Sequence, residues 1–492
     1  MRYASTRGGV KSVAFREALL SGYALDGGLL VPGDIPRVDG SLLSAWTELS
    51  YVRLCEEILP MFIANEEVPL KKLEEIIESS FSRFHSPDVF SIKQVGDMIV
   101  AEMWHGPTGA FKDIALGVVA KLVNYFLGES GKHATVLVAT SGDTGSAAIH
   151  AVLGLDNMDI IVLYPKGRIS RIQELQMTTV DAENVTVYGG ENCVADDFDT
   201  LVKRIFADVD FSHHHNLIML NSINVGRIVM QTVHYFYAYF KACRSVGDEV
   251  LIAVPTGACG NIASGVLAQK MGLPVKFIIG VNHNDVVHKC IMSGCLDQPD
   301  DVMQSYASAM DVQVPYNIER VISFITDDTD VVAQQFTSWD ATGTMALTAA
   351  QQREMRKLMW STSVTQEEII ETMQEMMSQH NYCVCPHTAV GVFAANKFRH
   401  TSDPQRQLVC NDAHLSSTPI VCYATSTLTK FKEVADEAGI AAPGLPSVEA
   451  LYELPEKGEV LQGDRRNWEV IIRRRIKEIS DKKSLKINLD DV

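Results

Sequence analysis

The stretch VLIAVPTGACGNIASGVLAQKMG at 250–272 decides the architecture. Its first five residues form an unbroken apolar run, PTGACGN is a turn of small residues, and IASGVLAQKMG has the length and composition of a helix. A strand with no polar alternation has no wet face, so it belongs inside a parallel sheet covered by helices. The same order recurs elsewhere. ATVLVA at 134–139 leads through TSGDTGS to AAIHAVLG, and DIIVLY at 159–164 leads through PKGRIS to RIQELQM. VKFIIGV at 275–281 runs into NHND, and PIVCY at 419–423 into ATST. Alternating strands and helices predict an α/β fold of parallel sheets. Ligands of such sheets bind beyond the carboxyl ends of the strands, so these turns are expected to meet at one crevice.

Around this core, residues 1–95 read as a mostly helical region with an acidic helix over 68–79, and 96–435 as the α/β body in two lobes. A helix-rich insert is expected at about 295–385. Residues 436–492 read as a linker followed by a helical tail, in which Trp468, Ile472, Ile476 and Ile479 have the spacing of a docking face. The Arg473-Arg474-Arg475 run reads as a solvated face.

The 492 residues carry 43 Lys+Arg and 61 Asp+Glu, a net charge of −18. Such a surface repels nucleic-acid phosphates and anionic lipid, which argues against both partners. No apolar run approaches the roughly 20 residues of a membrane span, and the start lacks the apolar core of a secretory leader. The cytoplasm is the expected compartment. Ten scattered cysteines without a CxxC pair read as reduced thiols, and no metal is expected. The clusters Cys383-Val384-Cys385-Pro386-His387 and His213-His214-His215 are too tightly spaced to converge on one ion.

Three turns carry chemistry. Gly257-Ala258-Cys259-Gly260-Asn261 follows a strand and opens a helix, where exposed amides and the positive helix end favour an anion such as phosphate. No GxGxxG with a later acidic partner accompanies it, and Gly128-Glu129-Ser130-Gly131-Lys132-His133 does not fit a Walker loop. Ser141, Gly142, Asp143 and Thr144 lie in a second turn, rich in hydroxyls suited either to a substrate anion or to capping the following helix. In HGPTGAFKD at 105–113, Lys112 sits among small and apolar neighbours before a helix. Burial and a helix start both favour its neutral amine, which can form an imine with an aldehyde.

Long collinear motifs then bear on identity: YASTRG, LSGYALDGGLLVP, HGPTGAFKD, ATSGDTGSAA, GRISRIQELQMTT, NSINVGRIVMQTVHYFYAYF, VPTGACGNIASG, PHTAVGV and ATSTLTKF. Through them the chain resembles the threonine synthase family, and in its departures the threonine synthase-like proteins, over most of residues 1–435. The resemblance implies a fold-type II, tryptophan synthase β-like enzyme with pyridoxal 5'-phosphate held by Lys112 as a Schiff base. It implies further that Gly257, Ala258, Cys259, Gly260 and Asn261 take the cofactor phosphate, although the family usually reads SGNFGD there. Thr425 matches the hydroxyl facing the pyridine nitrogen, and Ser141, Gly142, Asp143 and Thr144 match the turn for the substrate's anionic groups. Arg227 and Arg168 are further candidates for anion contacts, and His105 and Phe111 for positioning.

For a small phosphorylated amino acid the resemblance implies loss of phosphate, with two outcomes. Water added at Cβ gives threonine; releasing the enamine instead, with hydrolysis of its C–N bond, gives 2-oxobutyrate and ammonia. Ser426-Thr427-Leu428-Thr429-Lys430-Phe431 stands where synthases resemble A-H-P-A-K-F, Asn224-Val225-Gly226-Arg227 where they resemble N-W-A-R, and Gly189-Gly190-Glu191-Asn192 where they resemble G-T-F-D. Altered groups around the site are expected to loosen control of the added water, because a misplacement of about 1 Å costs on the order of a hundredfold. The preferred expectation is therefore a phospho-lyase acting on O-phosphohomoserine, with O-phosphothreonine as a further candidate substrate. Threonine synthase and a catalytically silent binding protein stand as alternatives, and monomer and homodimer are both left open.

Overall fold

The computed structural model describes residues 1–490 other than Pro87 and Asp327. Two sheets organise it. One has six strands in the order Met359–Ser363, Val275–Val281, Val250–Pro255, Ile420–Ala424, Met98–Glu102 and Ser91–Val95, parallel except for the last. The other is wholly parallel, in the order Glu459–Val460, Val185–Gly190, Met158–Pro165, Ala134–Ala139 and Leu217–Ile218. In the first sheet Ile252 lies between Phe277 and Val421, all three buried. The strands Ala134–Ala139, Met158–Pro165, Val250–Pro255 and Ile420–Ala424 are buried along their whole length, as their unbroken apolar runs require.

The helix Val225–Ala242 is buried at nearly every position and packs on the helices Lys112–Glu129 and Gly260–Met271, tying the two lobes together. Residues before 91 are mainly helical, with Tyr3–Ser5 and Leu30–Pro32 paired as a small antiparallel sheet. Trp468, Ile472, Ile476 and Ile479 dock in one cluster with Phe198 and Leu201, and Trp468 stacks on Phe198 at 5.3 Å between ring centroids. Outward from them, Arg473 pairs with Asp208 at 2.8 Å and with Glu469 at 2.9 Å.

Three features depart from the expected boundaries. The six-stranded sheet begins at Ser91, inside the region expected to be helical, because Gly96 (φ +59°) turns Ser91–Val95 back on Met98–Glu102. The segment 295–385 contains an edge strand, Met359–Ser363, besides its helices. It follows the helix Ala349–Leu358 directly, so the sequence there gives no turn residue to mark the change. The expected linker adds Glu459–Val460 to the edge of the second sheet.

Candidate functional site

The turns that follow Ala134–Ala139, Val250–Pro255 and Ile420–Ala424 open on one cavity. Lys112, Ser141, Thr144, Gly257, Ala258, Cys259, Gly260, Asn261 and Thr425 all line it, together with Phe111, Arg227 and His387. Gly142 and Asp143 do not; they lie behind the wall.

Lys112 opens its helix from a loop clamped to the 425–427 segment. The Phe111 N–H donates to the Thr425 carbonyl (2.9 Å), and the Thr427 N–H and Ser426 hydroxyl both donate to the Gly109 carbonyl (3.1 and 3.0 Å). Asp113 closes the loop by accepting from the Thr108 N–H (2.8 Å) and hydroxyl (2.7 Å). These bonds bring Thr425 beside the lysine from the far end of the chain. The Lys112 side chain is 14% exposed, its Nζ lies 3.2 Å from Asp143 Oδ2, and it sits over the Phe111 ring at 4.9 Å. Burial pulls its ammonium below the usual lysine range, Asp143 opposes that, and Lys430 and Arg227 reinforce it.

In the hydroxyl-rich turn, the Thr140 hydroxyl accepts from the N–H groups of Gly142 (3.0 Å) and Gly145 (2.9 Å). The turn thus caps itself, which leaves Ser141 and Thr144 on the cavity side. Gly142 has φ +127°, and a Cβ there would stand 2.6 Å from the Gln173 amide. Asp143 accepts from Gln173 Nε2 (2.9 Å) and from Lys112 Nζ (3.2 Å), and forms an ion pair with Lys430 Nζ at 2.7 Å. It is held far below the ordinary carboxylate range, burial being outweighed by the two ammonium groups.

The GACGN turn is braced from behind. Cys259 takes the left-handed conformation (φ +61°) at the start of the helix Gly260–Met271, and a Cβ on Gly257 would come within 3.0 Å of the Ala309 carbonyl. Asn261 Oδ1 accepts from the Tyr235 hydroxyl (2.9 Å), whereas its Nδ2 is buried with no partner among the described residues. Small residues, a helix start and a free amide donor in the cavity that holds the Lys112 amine suit a molecule with a phosphate at one end and an aldehyde at the other.

Sequence reasoning missed several residues. Lys430 and Gln173 stand in the sequence only inside longer motifs, and His387 only in PHTAVGV and a tight Cys/His cluster. His387 accepts the Ala309 N–H at Nε2 (3.0 Å), so its ring proton sits on Nδ1, and burial pushes its pKa down to about 3. Arg227, buried with Nε unpartnered among the described residues, lines the cavity, and burial lowers its pKa to about 10. Arg168 and His105 lie outside the lining; His105 contacts Ser91 and Glu102. Cys383, Cys385 and His387 are engaged separately, with Met377, Thr388 and Ala309.

The departures from the synthase pattern fall differently from expectation. A Cβ on Gly190 would meet Phe198 at 2.5 Å and Trp468 at 2.8 Å, and one on Gly226 would meet Leu19 at 2.4 Å, so both glycines are packing positions outside the cavity. Thr427 adjoins the Lys112 loop, with its hydroxyl 3.1 Å from that of Thr429.

The fold and this cavity define a pyridoxal-phosphate-dependent enzyme. Residues 90–411 match the model of the pyridoxal-phosphate dependent enzyme family, and residues 2–81 that of the threonine synthase N terminus. The chain is 40% identical over 486 residues to threonine synthase-like 2 of Homo sapiens, covering 98% of each, and 35% identical over 469 residues to threonine synthase of Pseudomonas aeruginosa, covering 94% of this chain and 96% of that one. It superposes on pyridoxal-phosphate-bound threonine synthase from Brucella melitensis with a TM-score of 0.86 at 32% identity, covering 96% of this chain and 99% of that one. Threonine synthase from yeast gives 0.86 at 32%, covering 98% and 99%. The chain therefore belongs to the threonine synthase family, and its cofactor is pyridoxal 5'-phosphate. No helix among the described residues is long and apolar enough to cross a membrane.

Proposed function

We propose that the protein is a cytoplasmic phospho-lyase that removes phosphate from O-phosphohomoserine, and from O-phosphothreonine, giving 2-oxobutyrate, ammonia and phosphate. The observation that carries this reading is the single cavity shared by Lys112, the GACGN turn, Ser141, Thr144, Arg227 and Thr425.

When bound, the cofactor supplies the electron sink that stabilises charge at the substrate Cα. The GACGN turn and the Asn261 amide hold its phosphate. Lys112 would hold its aldehyde carbon, and its amine would take the substrate's Cα proton; the β-phosphate of O-phosphothreonine can then leave, whereas the γ-phosphate of O-phosphohomoserine leaves only after a second proton is removed from Cβ. Burial lowers the Lys112 ammonium pKa, which favours the neutral, basic amine. Ser141 and Thr144 receive the substrate carboxylate at a helix start, and the buried Arg227 guanidinium receives the departing phosphate through charge-assisted hydrogen bonds. Thr425, a neutral hydroxyl, would face the ring nitrogen without holding it protonated as a carboxylate would, which would favour elimination over transamination. At Thr427 the chain lacks the imidazole that synthases carry, and with it a group to direct water onto Cβ.

Threonine synthesis is the second reading, favoured by the packing roles of Gly190 and Gly226. A product assay on both phosphorylated amino acids tests the choice, beside a Lys112→Ala control. Formation of 2-oxobutyrate with stoichiometric phosphate supports the lyase; threonine without 2-oxobutyrate refutes it. A visible band above about 400 nm that shifts with substrate distinguishes either enzyme from a silent protein.

A further inference from the structure

Two lysines meet at Asp143, and the cavity sees one of them. Lys430 is 0% exposed, lies outside the cavity lining, and places Nζ 2.7 Å from Asp143 Oδ1. Gln173, fixed by a capping box with Ser170, donates to the same oxygen at 2.9 Å. Lys112 faces the other oxygen at 3.2 Å. Asp143 itself is 2% exposed.

A lone buried carboxylate opposite one lysine would hold that lysine as an ammonium, because an ion pair in a dry site is lost only at the cost of leaving a charge uncompensated. Here the nearer ammonium already balances the carboxylate. Lys112 therefore faces a pair of no net charge, with Arg227 adding positive charge and a neutral His387 adding none. Its sequence neighbour Asp113 is turned away onto Thr108.

We propose that Lys430 is the standing counter-ion of Asp143 and thereby leaves the Lys112 amine free to react with an aldehyde. Lys430 is a positioning residue that acts through Asp143 and touches neither cofactor nor substrate. Gln173 holds the carboxylate in the orientation that presents one oxygen to each lysine. The inference rests on the reading that Lys112 carries the cofactor.

The test uses the full-length protein stripped of cofactor with hydroxylamine, with folding checked by circular dichroism. Acylation of Lys112 by acetic anhydride is followed from pH 6 to 10 by peptide mass spectrometry. In the wild type the midpoint is expected below the ordinary lysine value of about 10.4. Lys430→Gln keeps a donor for Asp143 and removes only the charge; it is expected to raise the midpoint by about one unit, slowing acylation at pH 7.5 about tenfold. Lys430→Arg should restore the wild-type rate within about twofold, and Asp143→Asn with Lys430→Gln should return the midpoint to the wild-type value or below. A wild-type midpoint at or above the ordinary value overturns the proposal. So does Lys430→Gln acylating at the wild-type rate, or a double variant as slow as Lys430→Gln alone. Borohydride reduction of the holoenzyme separately identifies the lysine that carries the cofactor; finding it elsewhere sinks that reading, independently of the labelling result.

Discussion

The Asn317 side chain and the Ala258 backbone are joined in the middle of the GACGN turn: Nδ2 of Asn317 donates to the Ala258 carbonyl at 3.1 Å, and so does its own N–H at 3.1 Å. Asn317 is held in turn by Arg320, whose Nη1 donates to Oδ1 at 2.6 Å. Arg320 is wholly buried and also donates to the carbonyls of Leu30 (3.0 and 3.1 Å) and Ile223 (2.6 Å). Asn317→Ala removes the side-chain bonds to the Ala258 and Ser222 carbonyls and leaves one buried Arg320 donor unpaired, while the backbone bond to Ala258 stays. Each buried group left unpaired costs about 1–3 kcal/mol. Cofactor affinity is expected to fall about tenfold or more, read by titrating apoprotein with pyridoxal phosphate, while Lys112 still forms the visible band at saturation.

Gly142→Ala tests the turn behind Ser141. The backbone there is in a region that L residues rarely adopt, and the new methyl would press on the Gln173 amide that holds Asp143. The strain amounts to about 2 kcal/mol. Urea unfolding should show a loss of that order, with turnover falling more than tenfold because Asp143 loses its alignment. Unchanged stability would contradict the geometry.

Acid sensitivity has a traceable source in His234. Its Nδ1 shares a hydrogen bond with the Tyr51 hydroxyl at 2.7 Å, and burial pushes its pKa down to about 3. In the unfolded chain the same ring titrates near 6.5. Between these values the unfolded state binds a proton that the folded state refuses, so the contribution is complete above about pH 6.5 and is lost as pH falls toward 3. The slope is about 1.4 kcal/mol per pH unit. His234→Gln should be less stable at pH 7 yet lose less on acidification to pH 5, as measured by chemical denaturation at each pH.

Trp468→Ala removes the ring stacked on Phe198 and exposes the cluster that holds the tail helix. Loss of a buried aromatic of this kind costs about 3–5 kcal/mol. Thermal unfolding should shift downward accordingly, while the visible cofactor band at low temperature stays in place because neither Trp468 nor Phe198 lines the cavity.

Much of the site was legible because strand-to-turn-to-helix units write their ligand-facing residues in continuous sequence: GACGN, TSGDTGS and Lys112 each sit where a strand or loop hands over to a helix. Lys430 was not legible as part of the site. Its placement depends on the clamp between 425–427 and the Lys112 loop, in which Ser426 and Gly109 lie 317 residues apart in the chain. No local pattern reports such a contact. The edge strand Met359–Ser363 escaped for another reason: one neighbour suffices to fix it, so its side chains need no apolar run. Asp143 shows the limit of residue type alone. A carboxylate in a turn for anions looks like a ligand contact until its own three donors are seen.

Through Asn317, Arg320 links the GACGN turn to Leu30, so on the proposed reading the grip on pyridoxal phosphate is completed by a segment outside the cavity lining. A protease cut or an alternative start codon that deleted the first thirty-odd residues would leave all the cofactor-facing side chains in the polypeptide and still yield a colourless product.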